Sequence, residues 1–268
     1  MGIKKQGYTI VESMIVIAVT ALIFVATVTA FSGRQQDIQF SQSVRDFDSQ
    51  IQDIISDVST GFFENPGGIA CGLVSGEIQI TQDATSDAGQ GANEDCIFVG
   101  KALEFAPADA PDSINIYTLL GKRTNDGANS TDITAAAPKA IGFEENVRSY
   151  QLDWGTQITR VATYDGTTVT DYGTVAFVTS FNTLNTSVNY GAVAGTDLGV
   201  SPLSELNALT TTSGIPGSPG EINLSGEQQI TVCMQSPSGD KGAIIIGGGG
   251  SVATQLAIDS YDPEICDA

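Results

Sequence analysis

The side chain whose position most demands a chemical explanation is Glu12. It stands in Gly7-Tyr8-Thr9-Ile10-Val11-Glu12, at the entrance of an apolar run with no other charged residue from Ser13 to Gly33. A charged group costs about 2.5–3.5 kcal/mol at the centre of a membrane helix, less toward its edge, and is normally kept only where it meets a partner. The next cation along the chain is Arg34, about 33 Å away on a helix rising roughly 1.5 Å per residue. The partner must therefore come from outside the segment. A cut after Gly7 supplies one: it frees a positively charged α-amine on Tyr8, and a neighbouring copy displaced along a helical assembly can bring that amine to Glu12.

Other chemistry is thin. The chain has no His, which removes Ser-His-Asp and Cys-His nucleophile pairs, His-ligated zinc and imidazole general bases. No catalytic residue, cofactor-binding set or metal-ligand set is assigned, and no enzyme activity is expected. Gly247–Gly250 lacks a following Lys-Ser/Thr and reads as a hairpin turn rather than a phosphate cradle. Asp87–Asp95 and Asp126–Asp132 are rich in oxygen donors but lack the Ca²⁺-loop pattern with its closing Glu, so they read as solvated loops, with Ca²⁺ a lesser alternative.

Cys71, Cys96, Cys233 and Cys266 form no C-x-x-C pair, and an even count reads as disulfides if the domain is exported. Three connectivities exist for four cysteines. Cys71–Cys96 with Cys233–Cys266 is favoured, because each closes a loop within one stretch of apparent strands.

These residues have to be positioned by something, and the composition bounds what. With 268 residues, 41% hydrophobic and 16% charged, the chain can bury a sizeable core. Lys+Arg number 11 against 31 Asp+Glu, a net charge of −20, which leaves no broad basic face for phosphates. Direct nucleic-acid binding is not expected.

Met14–Phe31 contains no Gly or Pro and only Thr20, Thr27 and Thr29 as polar side chains, a length and composition that suit one membrane crossing. Lys4 and Lys5 precede it, so the positive-inside bias puts the N-terminus in the cytoplasm and the remainder outside, in an oxidising compartment. Phe40, Val44, Phe47, Ile51, Ile54 and Val58 then recur at alternating spacings of four and three, the stripe of an amphipathic helix. Only Ser32-Gly33 weakens the link between the halves, which predicts one spine helix from about Thr9 to Thr60, closed by Gly61 as a C-cap.

Beyond Gly61, short β-branched and aromatic runs are separated by Gly, Asp, Asn and Pro. Predicted strands are Glu77–Thr81, Cys96–Phe105, Ile114–Leu120, Val147–Trp154, Ile158–Tyr164, Thr174–Phe181, Gln229–Gln235, Ala243–Gly247 and Val252–Ile258. Gln82–Asp95, Thr124–Pro138 and Asn182–Gly226 read as loops. The expected fold is α+β: a long N-terminal helix, membrane-spanning in its first half and amphipathic in its second, with the second half packed across an antiparallel sheet.

The leader MGIKKQG, the aromatic Tyr8, the T-I-V-E run ending in Glu12 and the unbroken apolar stretch together resemble the N-terminal signature of type IV pilins and of the pseudopilins of type II secretion systems. The resemblance covers about the first 33 residues. It implies a leader over 1–7, a membrane half of the spine over 8–33, an amphipathic half over 34–61 and an exported β-rich domain over 62–268. It also implies cleavage between Gly7 and Tyr8 by a prepilin peptidase, N-methylation of Tyr8, and a filament core built from the apolar helices of many pilin or pseudopilin subunits. Glu12 then acts in filament assembly, neutralising the Tyr8 amine of an adjacent subunit. The implied location is the inner or cytoplasmic membrane, with the C-terminal domain outside, until assembly machinery extracts the chain into a surface or periplasmic filament. Thr29 occupies the position where many shaft subunits carry proline, and the chain is large for a shaft subunit. Both features point to a minor pilin or pseudopilin.

Competing readings are a plain membrane anchor, and a secretory signal peptide cut after Val28-Thr29-Ala30. Either would leave a β-rich binding module or enzyme with no filament role. A filament-tip adhesin that uses the long loops is a third.

Overall fold

The computed structural model describes residues 9–62, 69–82, 95–107, 110–125, 128–180, 187–212, 218–224, 228–248, 252–258 and 260–267. Helix α1 runs over Ile10–Thr60, 51 residues, about 77 Å at roughly 1.5 Å per residue. Thr9 caps its start: the Thr9 hydroxyl accepts from the Glu12 N–H at 3.3 Å. Gly61 ends it in a left-handed conformation (φ 71°), where Phe62 N–H donates to the Asp57 carbonyl at 2.9 Å. A residue with a Cβ is strained there, which is why the glycine terminates the helix. The backbone stays helical through Ser32-Gly33.

The strands, in chain order, are β1 (Ile69–Val74), β2 (Glu77–Gln82), β3 (Cys96–Phe105), β4 (Ser113–Lys122), β5 (Thr124–Asn125), β6 (Ala128–Asn129), β7 (Lys139–Ala140), β8 (Arg148–Gln151), β9 (Gln157–Tyr164), β10 (Val169–Asp171), β11 (Thr174–Thr179), β12 (Val188–Ala192), β13 (Thr210–Thr212), β14 (Glu221–Asn223), β15 (Ile230–Gln235), β16 (Lys241–Ile246) and β17 (Thr254–Ile258). Three one-turn helices, α2 (Ile133–Ala136), α3 (Leu203–Leu206) and α4 (Pro263–Cys266), punctuate them. The strands build two principal antiparallel sheets. One has the order β10-β9-β15-β16-β17, and the other β12-β11-β3-β4-β7, with β8 also paired to β4. β1–β2 and β5–β6 form separate antiparallel pairs, and β13–β14 pair in parallel.

The architecture is thus α+β, but the spine covers two sheets rather than one. All six stripe residues, Phe40 to Val58, are buried. They share one core with Leu103, Phe105, Ile114 and Phe177 of the second sheet and Val161, Val232, Ile244 and Ile246 of the first. Phe47 meets Phe105 edge-on at 6.3 Å and stacks on Tyr150 at 6.2 Å, geometries in which aromatic pairs add to simple area burial. The opposite face of the second sheet is buried too. There Val99, Ala102 and Leu119 pack under Ile133, Leu206, Leu209 and Ile222, so β3 and β4 have covered residues on both sides where a half-solvated strand would alternate.

Polar ties fix the helix to the body. Lys101 Nζ on β3 donates to Asp57 Oδ2 at 2.6 Å, with the Lys101 side chain only 9% exposed. Ser43 Oγ donates to the Asp153 carbonyl at 3.1 Å, and Gln52 Nε2 donates to Thr254 Oγ1 at 3.1 Å. Inside the second layer, Glu104 accepts from Tyr117 OH (2.7 Å) and Asn115 Nδ2 (2.9 Å). Burial, reinforced by the Glu104 carboxylate, pushes the Tyr117 phenol above its ordinary range.

Three expectations are corrected here. The predicted strand Val147–Trp154 stops at Gln151, because residues 153–155 turn with Trp154 and Gly155 both at positive φ. Asn182–Gly226 is not one loop: it holds β12, α3 and the parallel β13–β14 pair. Thr124–Pro138 likewise contains β5, β6 and α2.

Candidate functional site

The candidate site is the first half of α1, built by a run of Ile, Val, Leu, Ala and Phe that no part of the described chain covers. Ile10–Val28 is the single described helix long and apolar enough to cross a membrane, with a mean hydropathy of 2.4 and none of it buried. Large apolar side chains point outward on every face, among them Ile10, Met14, Leu22 and Phe24. In water such a surface is unfavourable at roughly 25 cal/mol per Å². The segment's polar side chains are made compatible with an apolar surrounding by internal bonds. Thr20 Oγ1 donates to the carbonyls of Val16 (2.8 Å) and Ile17 (3.0 Å), and Thr27 Oγ1 to that of Phe24 (2.8 Å). No hydroxyl in these contacts needs water.

Glu12 lies in the first turn of α1 and is exposed. Its position is the third helical residue after the Thr9 cap, the place of the acidic member in an S/T-x-x-E capping box. The negative charge also suits the positive end of the helix dipole. The Thr-x-x-Glu spacing is the sequence signal for this local role. Gly7 and Tyr8 lie outside the described residues.

The structure pairs Cys71 with Cys96 and Cys233 with Cys266, the favoured connectivity, with Cα–Cα separations of 6.2 and 5.6 Å. The first bridge ties the β1–β2 hairpin to the start of the second sheet, and the second holds α4 against the outer face of β15, where Ile265 packs on Ala162 and Cys233. Arg160 bridges Asp171 and donates from Nη1 to the Ile265 carbonyl at 2.7 Å, a second clamp on the same terminus. Disulfide-bonded bodies of this kind belong to oxidising compartments.

Among the described residues, no group of three or more His, Cys, Asp or Glu could hold a metal ion. Most of the Asp87–Asp95 stretch lies outside those residues, as do Asp126 and Gly127 of the second acid-rich stretch. Gly249 and Gly250 also fall outside them, while β16 and β17 on either side pair antiparallel with Ile246 opposite Thr254. Two features were not singled out from the sequence: the Asp57–Lys101 tie, which only the fold brings together, and the exposed Trp154 in its tight turn.

No protein-family model matches the chain, and neither the curated proteins nor the solved structures contain a match to it.

Proposed function

We propose that this chain is a structural subunit of a type IV pilus or type II secretion-like filament, a minor pilin or pseudopilin rather than an enzyme. The observation that supports it best is the unbroken helix itself. Ile10–Val28 is left bare while the same helix, with no interruption, buries its apolar stripe from Phe40 to Val58 in the body. A bare apolar helix end of this kind has two natural solvents, lipid and other copies of itself, and a filament subunit uses them in turn. In this reading the prepilin peptidase cuts after Gly7 and Tyr8 becomes the methylated N-terminus. The chain waits in the inner or cytoplasmic membrane with its disulfide-bonded body outside. Assembly machinery then bundles Ile10–Val28 with equivalent helices, and Glu12 neutralises the Tyr8 amine of the neighbouring subunit.

Mass spectrometry of the purified protein's N-terminus tests the processing: methylated Tyr8 is expected, and a chain beginning at Phe31 or left uncut would overturn the reading. Glu12→Gln tests the charge separately from the cap, because Gln also serves as the third residue of a capping box. The expected result is normal membrane insertion with incorporation into filaments reduced at least about tenfold, the equivalent of 1.4 kcal/mol. Unchanged incorporation would leave Glu12 a helix-capping residue only.

A further inference from the structure

Trp154 is the single tryptophan in the chain and is 55% exposed. It occupies the first of two successive left-handed positions, with φ 60°, ψ 21° and Gly155 following at φ 71°. Thr156 N–H donates to the Asp153 carbonyl at 3.1 Å, which closes a four-residue turn of the kind that favours Asn-Gly or Asp-Gly. A bulky aromatic residue strains that conformation. A ring that strains its own backbone and stays more than half exposed adds little to the fold.

Its location supplies a use. Trp154 borders Gln36, Gln39 and Phe40 of α1, together with the turn at Ser236–Ser238. At the start of β16, Gly242 faces Phe40, while Thr254, opposite Ile246 at the strand's far end, bonds Gln52. Rising along β16 therefore means moving away from the apolar half of the helix, and the Trp154 turn lies on the rim of the body nearest that half. Hydrocarbon about 30 Å thick takes up about 20 residues from Ile10, which places its boundary near Ala30. Gln36 stands about 9 Å and Phe40 about 15 Å further out, beyond an interfacial layer about 5–8 Å deep. A helix tilt of about 20° toward the body lowers the edge of the rim beside Gln36 into that layer. Ile38, 61% exposed, lies on the same stretch of helix. Tryptophan is enriched at this depth, where an amphipathic ring meets headgroups. Asp153 and Asp240 stand in the turns that form the rim, and with Asp37 against the one cation of the adjoining helix stretch, Arg34, they leave it net negative, a poor match for anionic lipid.

We propose that this rim rests on the headgroups of a zwitterionic bilayer, with Trp154 as its anchor, holding the body at a fixed angle to the membrane before the chain is withdrawn. The proposal rests on the membrane-anchored part of the function proposed above. The full chain, reconstituted in phosphatidylcholine vesicles, gives fluorescence from Trp154 alone. Flotation with the vesicles, headgroup nitroxide quenching stronger than quenching by a nitroxide at the bilayer centre, and iodide quenching at least halved relative to the body in water are the expected results. Failure to float would overturn the anchored reading and the rim together. Flotation with full iodide access, or with iodide shielding but no headgroup quenching, would overturn the rim alone, the latter in favour of contact with a second copy. Trp154→Asn, which suits the turn, should raise the thermal midpoint by about 2–4 °C while still floating; a lowered midpoint would make the indole a packing residue and also overturn the proposal.

Discussion

From Ile10 to Val28 the spine helix carries apolar side chains on every face and none is covered, whereas from Phe40 to Val58 it confines them to one stripe and all six are buried. The backbone is the same, a single helix with one cap at each end. What differs is angular distribution. A stripe about 100° wide can be satisfied by a body from the same chain, while an all-round apolar surface needs a surrounding medium or a ring of neighbours. The comparison teaches that hydrophobic content does not determine where a helix is buried; the placement of its polar residues does. Arg45, Asp46 and Asp53 lie on the exposed side of the second half, and nothing comparable divides the first.

The contrast is broken most readily with a matched pair of truncations. Phe47→Ala removes a fully buried ring that touches Phe105 and Tyr150, and should cost about 3–5 kcal/mol, read as a lowered thermal midpoint of the full chain in detergent. Phe24→Ala, the same change in the bare half, should leave that midpoint within about 2 °C, since substitutions far from packed groups usually change stability by less than about 0.5 kcal/mol. Equal losses would mean the halves are not energetically separate.

A smaller effect is expected from the polar tie. Asp57→Asn leaves Lys101 almost covered and without its counter-charge, and should cost about 1–3 kcal/mol. The exposed Asp53→Asn on the same helix should cost less than about 0.5 kcal/mol in chemical denaturation. The smallest effect is a slope with pH. Tyr117 ionises in the unfolded chain near 10.0 but higher in the folded one, so its contribution is complete below pH 10 and fades as the pH climbs through the folded value. Circular dichroism above pH 10 should show the body loosening while the helical signal of the first half persists, and Tyr117→Phe should flatten the slope.

Much of this was legible from local signals. Thr9 and Gly61 mark both ends of the spine, the stripe from Phe40 to Val58 identifies its buried face, and Cys96–Phe105 is a strand within the bounds its composition predicts. What escaped depends on pairing between distant segments. Val188–Ala192 sits in a stretch dominated by Thr, Asn and Gly, and its Gly191 is there because Asn223 O approaches so closely that a Cβ would lie 2.4 Å from it, a feature that disguises a strand as a loop. The division into two sheets rests on β11 joining β3 and β15 joining β9 across long separations, and no periodicity reports that. The candidate site divides in the same way: Glu12 and the apolar run are written in the sequence, while the cation proposed for Glu12 belongs to a second molecule.

The unbroken rod has a mechanical consequence. Between the apolar half of α1 and the half whose stripe is buried there is no proline and no loop to act as a hinge. A thrust against the body is therefore delivered to the apolar end as axial displacement, with little taken up by bending. The clamp of Lys101 on Asp57, near the distal end of the rod, and the contact of Ser43 with Asp153, near its middle, hold the lever at two points. Whatever displaces the head along the rod displaces the foot with it.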